Sequence, residues 1–429
     1  MVVSVITLGC PKNTVDTEVL LRQVDANRIA YTVDPEKADV LVINTCGFID
    51  DAKKESIETI LAAVERKRQG KLRAVYVAGC LPMRYRQELR RELPEVDGFF
   101  GVTDFRRTIE ALDGRYHPEL LGERVLTTPP HTAYLKISEG CDHPCSYCTV
   151  PLIRGRYVST PMARLVKQAH FLAERGVREL VIVAQDTTAY GRDLYGKRRL
   201  AKLLDQLAAI EGIRWLRLMY TNPAGFPLDV LDVMREHENI CRYLDLPIQH
   251  ISDPILRSMR RGITRRKIEE LIDTIRNRLP GSAIRTSLIV GYPGETVKQF
   301  EELCSFVLER RFERLGVFTY SREEGTPAAA LHGQVRNREK ERRRAVLMEL
   351  QAELSFERNR SFIGKTIPVL VDREEAGAFV GRTEHDAPEV DNEVLIPKRK
   401  TAPPLLRGSF VLVTITGADE YTLHGFPEP

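Results

Sequence analysis

Short runs of Val, Ile and Leu alternate with longer amphipathic stretches along most of the chain. Over residues 1–125 the runs VVSVITL, ADVLVINT and LRAVYVAG each precede a segment with helical spacing. Strands that alternate with helices predict a parallel sheet covered on both faces. The paired prolines of LTTPPH suit an extended linker and mark a boundary near residues 125–131. From Thr132 the alternation resumes with TAYLKIS, ELVIVAQ, IRWLRLMY, YLDLPI, AIRTSLIVG and RLGVFTY, which predict a partial or complete α/β barrel. Residues 336–360 lack Gly and Pro and place Leu347, Leu350 and Leu354 on one face, the pattern of a charged connecting helix. Its arginines read as a solvated face or, in the alternative, as an RNA or partner surface. The last stretch turns to short strands, KTIPVLVD, GAFVGRT, EVLIPK and SFVLVTITGA, which predict a small β-barrel. Three domains follow: 1–125, 131–360 and 361–429.

Composition narrows the class. At 429 residues, 43% apolar and 29% charged, the chain is a globular protein of two or three domains. No apolar run approaches the ~18 residues that cross a bilayer, and the opening MVVSVITLGC has no signal-peptide pattern, so a cytoplasmic protein without a membrane is expected. A net charge of +4 is too small for a body dedicated to nucleic acid. Eight cysteines in such a chain point to metal ligation and not to a disulfide framework.

Cys141, Cys145 and Cys148 fall together in SEGCDHPCSYCTV, directly after the first strand of the second domain. Three thiolates in one loop hold three corners of a 4Fe-4S cube and leave the fourth iron open to a cofactor. The alternatives are a zinc site completed by His143 and a structural cluster completed elsewhere. A second set, Cys10, Cys46 and Cys80, follows three strands of the first domain. Carboxyl ends of neighbouring parallel strands share one edge, where distant thiols meet. Taken singly, each is a small buried hydrophobe; Cys241 and Cys304 have no such companions.

The CxxxCxxC loop at the end of the first barrel strand resembles the radical S-adenosylmethionine (SAM) superfamily, with Tyr147 at its usual aromatic position. The resemblance implies that SAM binds the open iron through its amino and carboxylate groups. GCPKNTVDTE, NTCGFID and AGCLPMRY further resemble the amino-terminal domain of the methylthiotransferases, and the likeness then runs the length of the chain. It implies an α/β fold with an amino-terminal parallel-sheet domain, a radical SAM partial barrel of the TIM type and a terminal TRAM β-barrel. It also implies two 4Fe-4S clusters, an auxiliary one on Cys10, Cys46 and Cys80 and a radical one on Cys141, Cys145 and Cys148. Gln185, Gly291, Pro293 and Glu295, in AQDTTAYG and GYPGET, end barrel strands where such enzymes hold SAM. Gln249 and His250 close another strand, and Asp16 and Asp186 are polar residues near the expected centres.

Sulfur insertion at an unactivated carbon is beyond the reach of acid-base side chains. The resemblance supplies a radical from SAM, sulfur from the auxiliary cluster, a methyl group from a second SAM and an electron from a reductant such as flavodoxin or ferredoxin. Two branches differ in substrate: an adenosine of tRNA, or the β-carbon of an aspartate in ribosomal protein S twelve, free or on the ribosome. From Asp372 to Glu393 eight acidic residues (Asp372, Glu374, Glu375, Glu384, Asp386, Glu389, Asp391, Glu393) face two basic ones, Arg373 and Arg382. Such a surface is expected to repel phosphate and attract a basic protein. GRTEHDAPEVDN also lacks the Asn of the tRNA branch, so the ribosomal-protein branch is favoured. A nucleic-acid-binding protein with structural clusters is the reading of a different class, disfavoured by three-ligand sites.

Overall fold

The computed structural model describes residues 1–120, 122–398 and 404–428; the limit set at residue 429 lies outside them. In the first domain β1 (Val2–Thr7), β2 (Ala30–Tyr31), β3 (Val40–Thr45), β4 (Ala74–Gly79) and β5 (Gly98–Phe99) form a parallel sheet in the order β2-β1-β3-β4-β5. The central strand β3 is buried throughout because its alternate residues feed two cores, Leu41 and Ile43 on one face and Val40 and Val42 on the other. Helices α1 (Pro11–Ala26), α2 (Asp50–Arg68) and α3 (Cys80–Glu92) follow β1, β3 and β4. Register decides what comes next. Thr7 pairs with Asn44 and Asn44 with Ala78, so β1, β3 and β4 end level at one edge.

The second domain carries β6 (Thr132–Lys136), a short antiparallel pair β7 (Ser138–Glu139) and β8 (Val158–Ser159), then β9 (Glu179–Val183), β10 (Trp215–Leu218), β11 (Ile240–Asp245), β12 (Ala283–Val290) and β13 (Arg314–Thr319). The six long strands are those read from the sequence, and they form one parallel sheet, β13-β12-β11-β10-β9-β6. With β6 and β13 as its two edges the sheet is open, which selects the partial barrel. One face, with Leu135, Ile182, Leu216, Leu244 and Ile284, packs on helices. The long helix Asn337–Arg360 joins that core through Leu347 and Leu354. Its arginines are mostly engaged: Arg343 is buried against Glu295 and Glu339, and Arg342 and Arg344 pair with Glu339 and Glu341.

In the third domain β14 (Thr366–Glu375), β15 (Ala378–Arg382), β16 (Glu393–Pro397), β17 (Phe410–Ala418) and β18 (Thr422–Pro427) close a barrel in the order β14-β15-β16-β18-β17. The last strand escapes the sequence reading because TLHGFP alternates too weakly. This barrel covers the helix-free face of the six-stranded sheet near the strand starts. There Leu370, Ala387 and Phe410 meet Tyr134, Val181, Trp215, Tyr243 and Ala283, and Phe410 and Trp215 pack edge-on at 4.8 Å between centroids.

The acidic stretch of this domain is not the open surface that its sequence suggests. Asp372 accepts from Arg382 (2.7 Å) and lies 3.0 Å from His131. Arg382 also reaches Glu179 at 2.6 Å, which in turn accepts from Arg217 at 2.8 Å. Asp386 accepts from Arg314 at 2.8 Å, and Asp391 lies 3.3 Å from Arg285 and accepts from Tyr243 at 2.7 Å. Glu375 and Glu393 pair with Arg373, and Glu374 with Lys398. Asp372, Asp386 and Asp391 therefore clamp the small barrel to the floor of the large one, because carboxylates buried opposite cations must be paired, while Glu374, Glu375 and Glu393 pair within the small barrel itself. Despite burial, Arg382 and His131 hold Asp372 below its ordinary pKa, and Arg314 and Thr383 do the same for Asp386.

Candidate functional site at the barrel mouth

The loop 140–149 leaves the mouth end of β6 and carries three of the cysteines. Gly140 has φ +73°, and a Cβ there would lie 2.0 Å from the Arg156 carbonyl, so the turn into Cys141 demands glycine. The loop is pinned from several sides. Ser146 N donates to Met259 O (3.0 Å), Ser146 Oγ to Ser258 O (2.7 Å), and Ala328 N to Ser146 O (2.8 Å). Buried Arg261 reaches Cys145 Sγ at 3.5 Å. Burial, with the neighbouring thiols adding to it, pushes Cys141 up to about 11 and Cys148 up to about 12.

The second set assembles at the level edge of the first sheet. Cys10 precedes α1, Cys46 follows β3, and Cys80 opens α3 directly after β4. Gly9, at φ +93°, leads into Cys10; a Cβ there would meet Cys46 Cβ at 2.8 Å. Bare Gly47 likewise lets Cys46 approach Cys80, since its Cβ would sit 3.1 Å from the Cys80 carbonyl carbon. Burial raises Cys46, and pushes Cys80 up to about 12. Cys10 goes the other way: burial is outweighed by Lys12, Arg154 and the backbone N–H groups of Asn13 and Lys12.

All eight cysteines are free. Both sets fit an iron-sulfur group by donor chemistry: each gathers three soft thiols behind glycines that let the backbone approach closely, and burial raises four of the six, Cys46, Cys80, Cys141 and Cys148, which ionise once a metal centre supplies positive charge. His143, the fourth ligand of the zinc alternative, has its Nε2 2.6 Å from Asp186 Oδ2 and 2.9 Å from Asn222 Nδ2. Among the described residues no three His, Cys, Asp or Glu side chains converge on one metal ion.

The two sets face each other across one ion network. Arg154, in the helix Val150–Arg154 after the loop, donates to Asp16 (3.2 Å), to Glu139 (2.8 Å) and to Asn13 Oδ1, and its Nη2 lies 3.5 Å from Cys80 Sγ. Lys136, ending β6, donates to Glu139 at 2.7 Å and pairs with Asp16. Gln185 joins through Nε2 to Glu139 at 3.0 Å, while its buried Oε1 has no hydrogen-bond partner among the described residues. Arg84 and Lys53 of the first domain both pair with buried Glu323 beyond β13. Sequence reading missed Arg154, Lys136 and Glu139, whose only signal is their closeness to the cysteine loop.

Other singled-out residues lie as follows. Tyr147 packs on Ile255, Met259, Tyr292, Tyr320 and Ala328. Glu295 is buried and accepts from the backbone N–H groups of Gly291 and Tyr292, so it shapes the turn that carries Gly291 and buried Pro293. Its other oxygen faces His250 at 3.7 Å and Arg343 at 3.3 Å. A Cβ on Gly291 would strike the Lys340 side chain. Asp16 is taken up by Lys136 and Arg154, Asp186 by His143 and Thr188, and Gln249 stands at φ +72° after β11. Cys241 is core, on the face covered by the small barrel.

Three family models match in the same order as the domains: uncharacterized protein family UPF0004 over residues 2–101, the Radical SAM superfamily over 135–307, and the TRAM domain over 363–427. Among solved structures, the radical SAM methyltransferase TsrM from Kitasatospora setae superposes with a TM-score of 0.55 at 14% identity, covering 76% of each chain, a likeness of fold. Curated relatives named ribosomal protein uS12 methylthiotransferase RimO are far nearer. The protein from Cytophaga hutchinsonii is 52% identical over 99% of this chain and 97% of its own. That from Chlorobium luteolum is 53% identical with the same coverage. The fold, the two facing thiol sets and identity near one half over all three domains place this chain in the RimO family of radical SAM methylthiotransferases.

Proposed function

We propose that this chain adds a methylthio group to the β-carbon of an aspartate in ribosomal protein uS12, with SAM as cofactor and a flavodoxin or ferredoxin as electron donor in the cytoplasm. The observation that carries the reading is the identity of about one half to uS12 methylthiotransferases across the whole chain, through the sheet domain, the barrel and the TRAM domain alike. Membership of the radical SAM superfamily implies one 4Fe-4S cluster and SAM.

In this reading Cys141, Cys145 and Cys148 hold the radical cluster, and Cys10, Cys46 and Cys80 hold an auxiliary one. When bound, these groups and SAM supply the carbon radical and the sulfur that no side chain can provide. The chain's own residues do the rest. Arg261, donating to Cys145, offsets thiolate charge in a buried loop. Arg154 fixes the distance between the two thiol sets by holding Asp16 and Glu139 on either side. Tyr147, Gln185, Gly291, Pro293 and Glu295 form the wall against which SAM is held, Glu295 by shaping the 291–295 turn and Gln185 through its free Oε1. The small barrel closes the sheet to water at the strand starts, the end opposite the mouth.

Anaerobic incubation of the reconstituted protein with uS12, SAM and reductant, beside unmodified tRNA, tests the reading by mass spectrometry. The expected result is a methylthio mass increase on an aspartate of uS12 with tRNA untouched. Modified tRNA with unchanged protein would move the chain to the other branch, and absence of any SAM cleavage would restore the reading of an RNA-binding protein with structural clusters.

A further inference from the structure

Lys12 is a buried cation that no side-chain carboxylate pairs among the described residues. It lies two residues after Cys10 with only 8% of its surface exposed. Its Nζ sits 3.3 Å from the centroid of the Tyr220 ring. The neighbouring carboxylates are committed elsewhere: Asp16 and Glu139 to Lys136 and Arg154, and Asp245 to Arg285 and the Tyr220 N–H. Among the described residues no carboxylate forms an ion pair with Lys12; Tyr220 and the Cys10 thiol favour its charge and Arg154 opposes it. A ring face attracts an ammonium but brings no negative charge, and buried charges are ordinarily paired.

The platform under Lys12 is itself unusual. Tyr220 adopts φ +57°, a conformation costly for an aromatic residue. It is held there by its N–H on Asp245 Oδ2 (2.9 Å) and by Thr187 N on its carbonyl (3.0 Å). Such strain persists only where the surroundings over-determine it, and it gathers at ligand sites. The place is also telling. Tyr220 follows β10 at the mouth, two residues before Asn222, which touches His143 of the cysteine loop. Lys12 arrives from the other side, at the start of α1 beside Cys10. The pair thus stands between the two thiol sets.

We infer that Lys12, seated on Tyr220, receives the carboxylate of the side chain to be modified and makes the site select an acid over its amide. This rests on the reading of an acidic side chain of uS12 as the substrate. A carboxylate supplies the missing counter-charge and fixes the carbon next to it between the two centres. The amide fills the same space but leaves the ammonium unpaired, which is the kind of difference that gives strong discrimination. SAM also carries a carboxylate, and the test separates the two sources.

Anaerobic titration calorimetry of the full-length reconstituted protein provides that test, with uS12, with uS12 whose target aspartate is changed to asparagine, and with SAM, each against wild type and Lys12→Met. Wild type is expected to bind the asparagine form roughly 10- to 100-fold more weakly. Lys12→Met binds both forms equally and SAM as wild type does. Equal affinity of wild type for the two uS12 forms overturns the inference without any variant being needed. So does discrimination that survives in Lys12→Met, or a loss that falls on SAM, since Lys12 then serves Cys10 or the cofactor. Failure of wild type to bind uS12 at all overturns the substrate reading and this inference with it.

Discussion

The two thiol sites use the same residue, three times each, and a positive-φ glycine just before the first cysteine, yet they are built in opposite ways. The loop site is local. Its cysteines lie within eight residues, and the loop that bears them is fixed by contacts from Met259, Ser258, Ala328 and Arg261. The strand-edge site draws Cys10, Cys46 and Cys80 from three strands, and it exists only because β1, β3 and β4 end level. A local site depends on its loop; an assembled one depends on the register and packing of a whole sheet. Damage to the first domain's core is therefore expected to reach one site and spare the other.

The largest effect comes from changing Cys141, Cys145 and Cys148 together to Ala. SAM cleavage and the methylthio product both vanish, as 5'-deoxyadenosine and substrate mass measurements would record. The matching change of Cys10, Cys46 and Cys80 abolishes the product but leaves reductive SAM cleavage running. If both triple variants behave alike, the division of labour between the sites is wrong.

The clamp beneath the barrel serves as a control that should touch neither site selectively. Arg382→Met removes the cation shared by Glu179 and Asp372 and costs about 3–5 kcal/mol, measured by chemical denaturation. Asp372, Asp386 and Glu179 are held below their ordinary pKa in the fold, each against the cost of burial, by the arginines they face and, for Asp372, by His131. Their contribution is thus complete above the unfolded values of about 4 and is lost as the pH falls through the lower folded ones. Thermal stability of wild type should drop steeply below about pH 4, and more shallowly in Arg382→Met. A pH profile that does not change in the variant would remove the clamp from the account.

The smallest effect is the sharpest for the comparison. Ile43→Val deletes one methyl from the fully buried centre of β3 and costs about 0.5–1.5 kcal/mol. It should slow cluster assembly at the strand edge, followed by iron uptake, and leave the loop site unchanged.

Legibility in the sequence followed the same division. The CxxxCxxC loop needs no tertiary knowledge, and the six barrel strands announce themselves as apolar runs between helical segments. Cys10, Cys46 and Cys80 were readable only through the rule that parallel strands share an edge. The acidic run from Asp372 to Glu393 misled, because a count of carboxylates cannot show that Arg285 and Arg314, far off in the chain, face Asp391 and Asp386. For the same reason the preference for a protein substrate rests on the relatives and not on that surface. Lys12 carries no signal of its own in the sequence, because Tyr220, the ring beneath it, lies more than two hundred residues away.

The most direct test of two separate iron-sulfur sites is iron and acid-labile sulfide analysis of anaerobically reconstituted wild type and the two triple-cysteine variants. The account predicts about eight iron and eight sulfide per wild-type chain and about four of each in either variant. A wild-type content of about four, or a Cys10, Cys46 and Cys80 variant that keeps about eight, would contradict it.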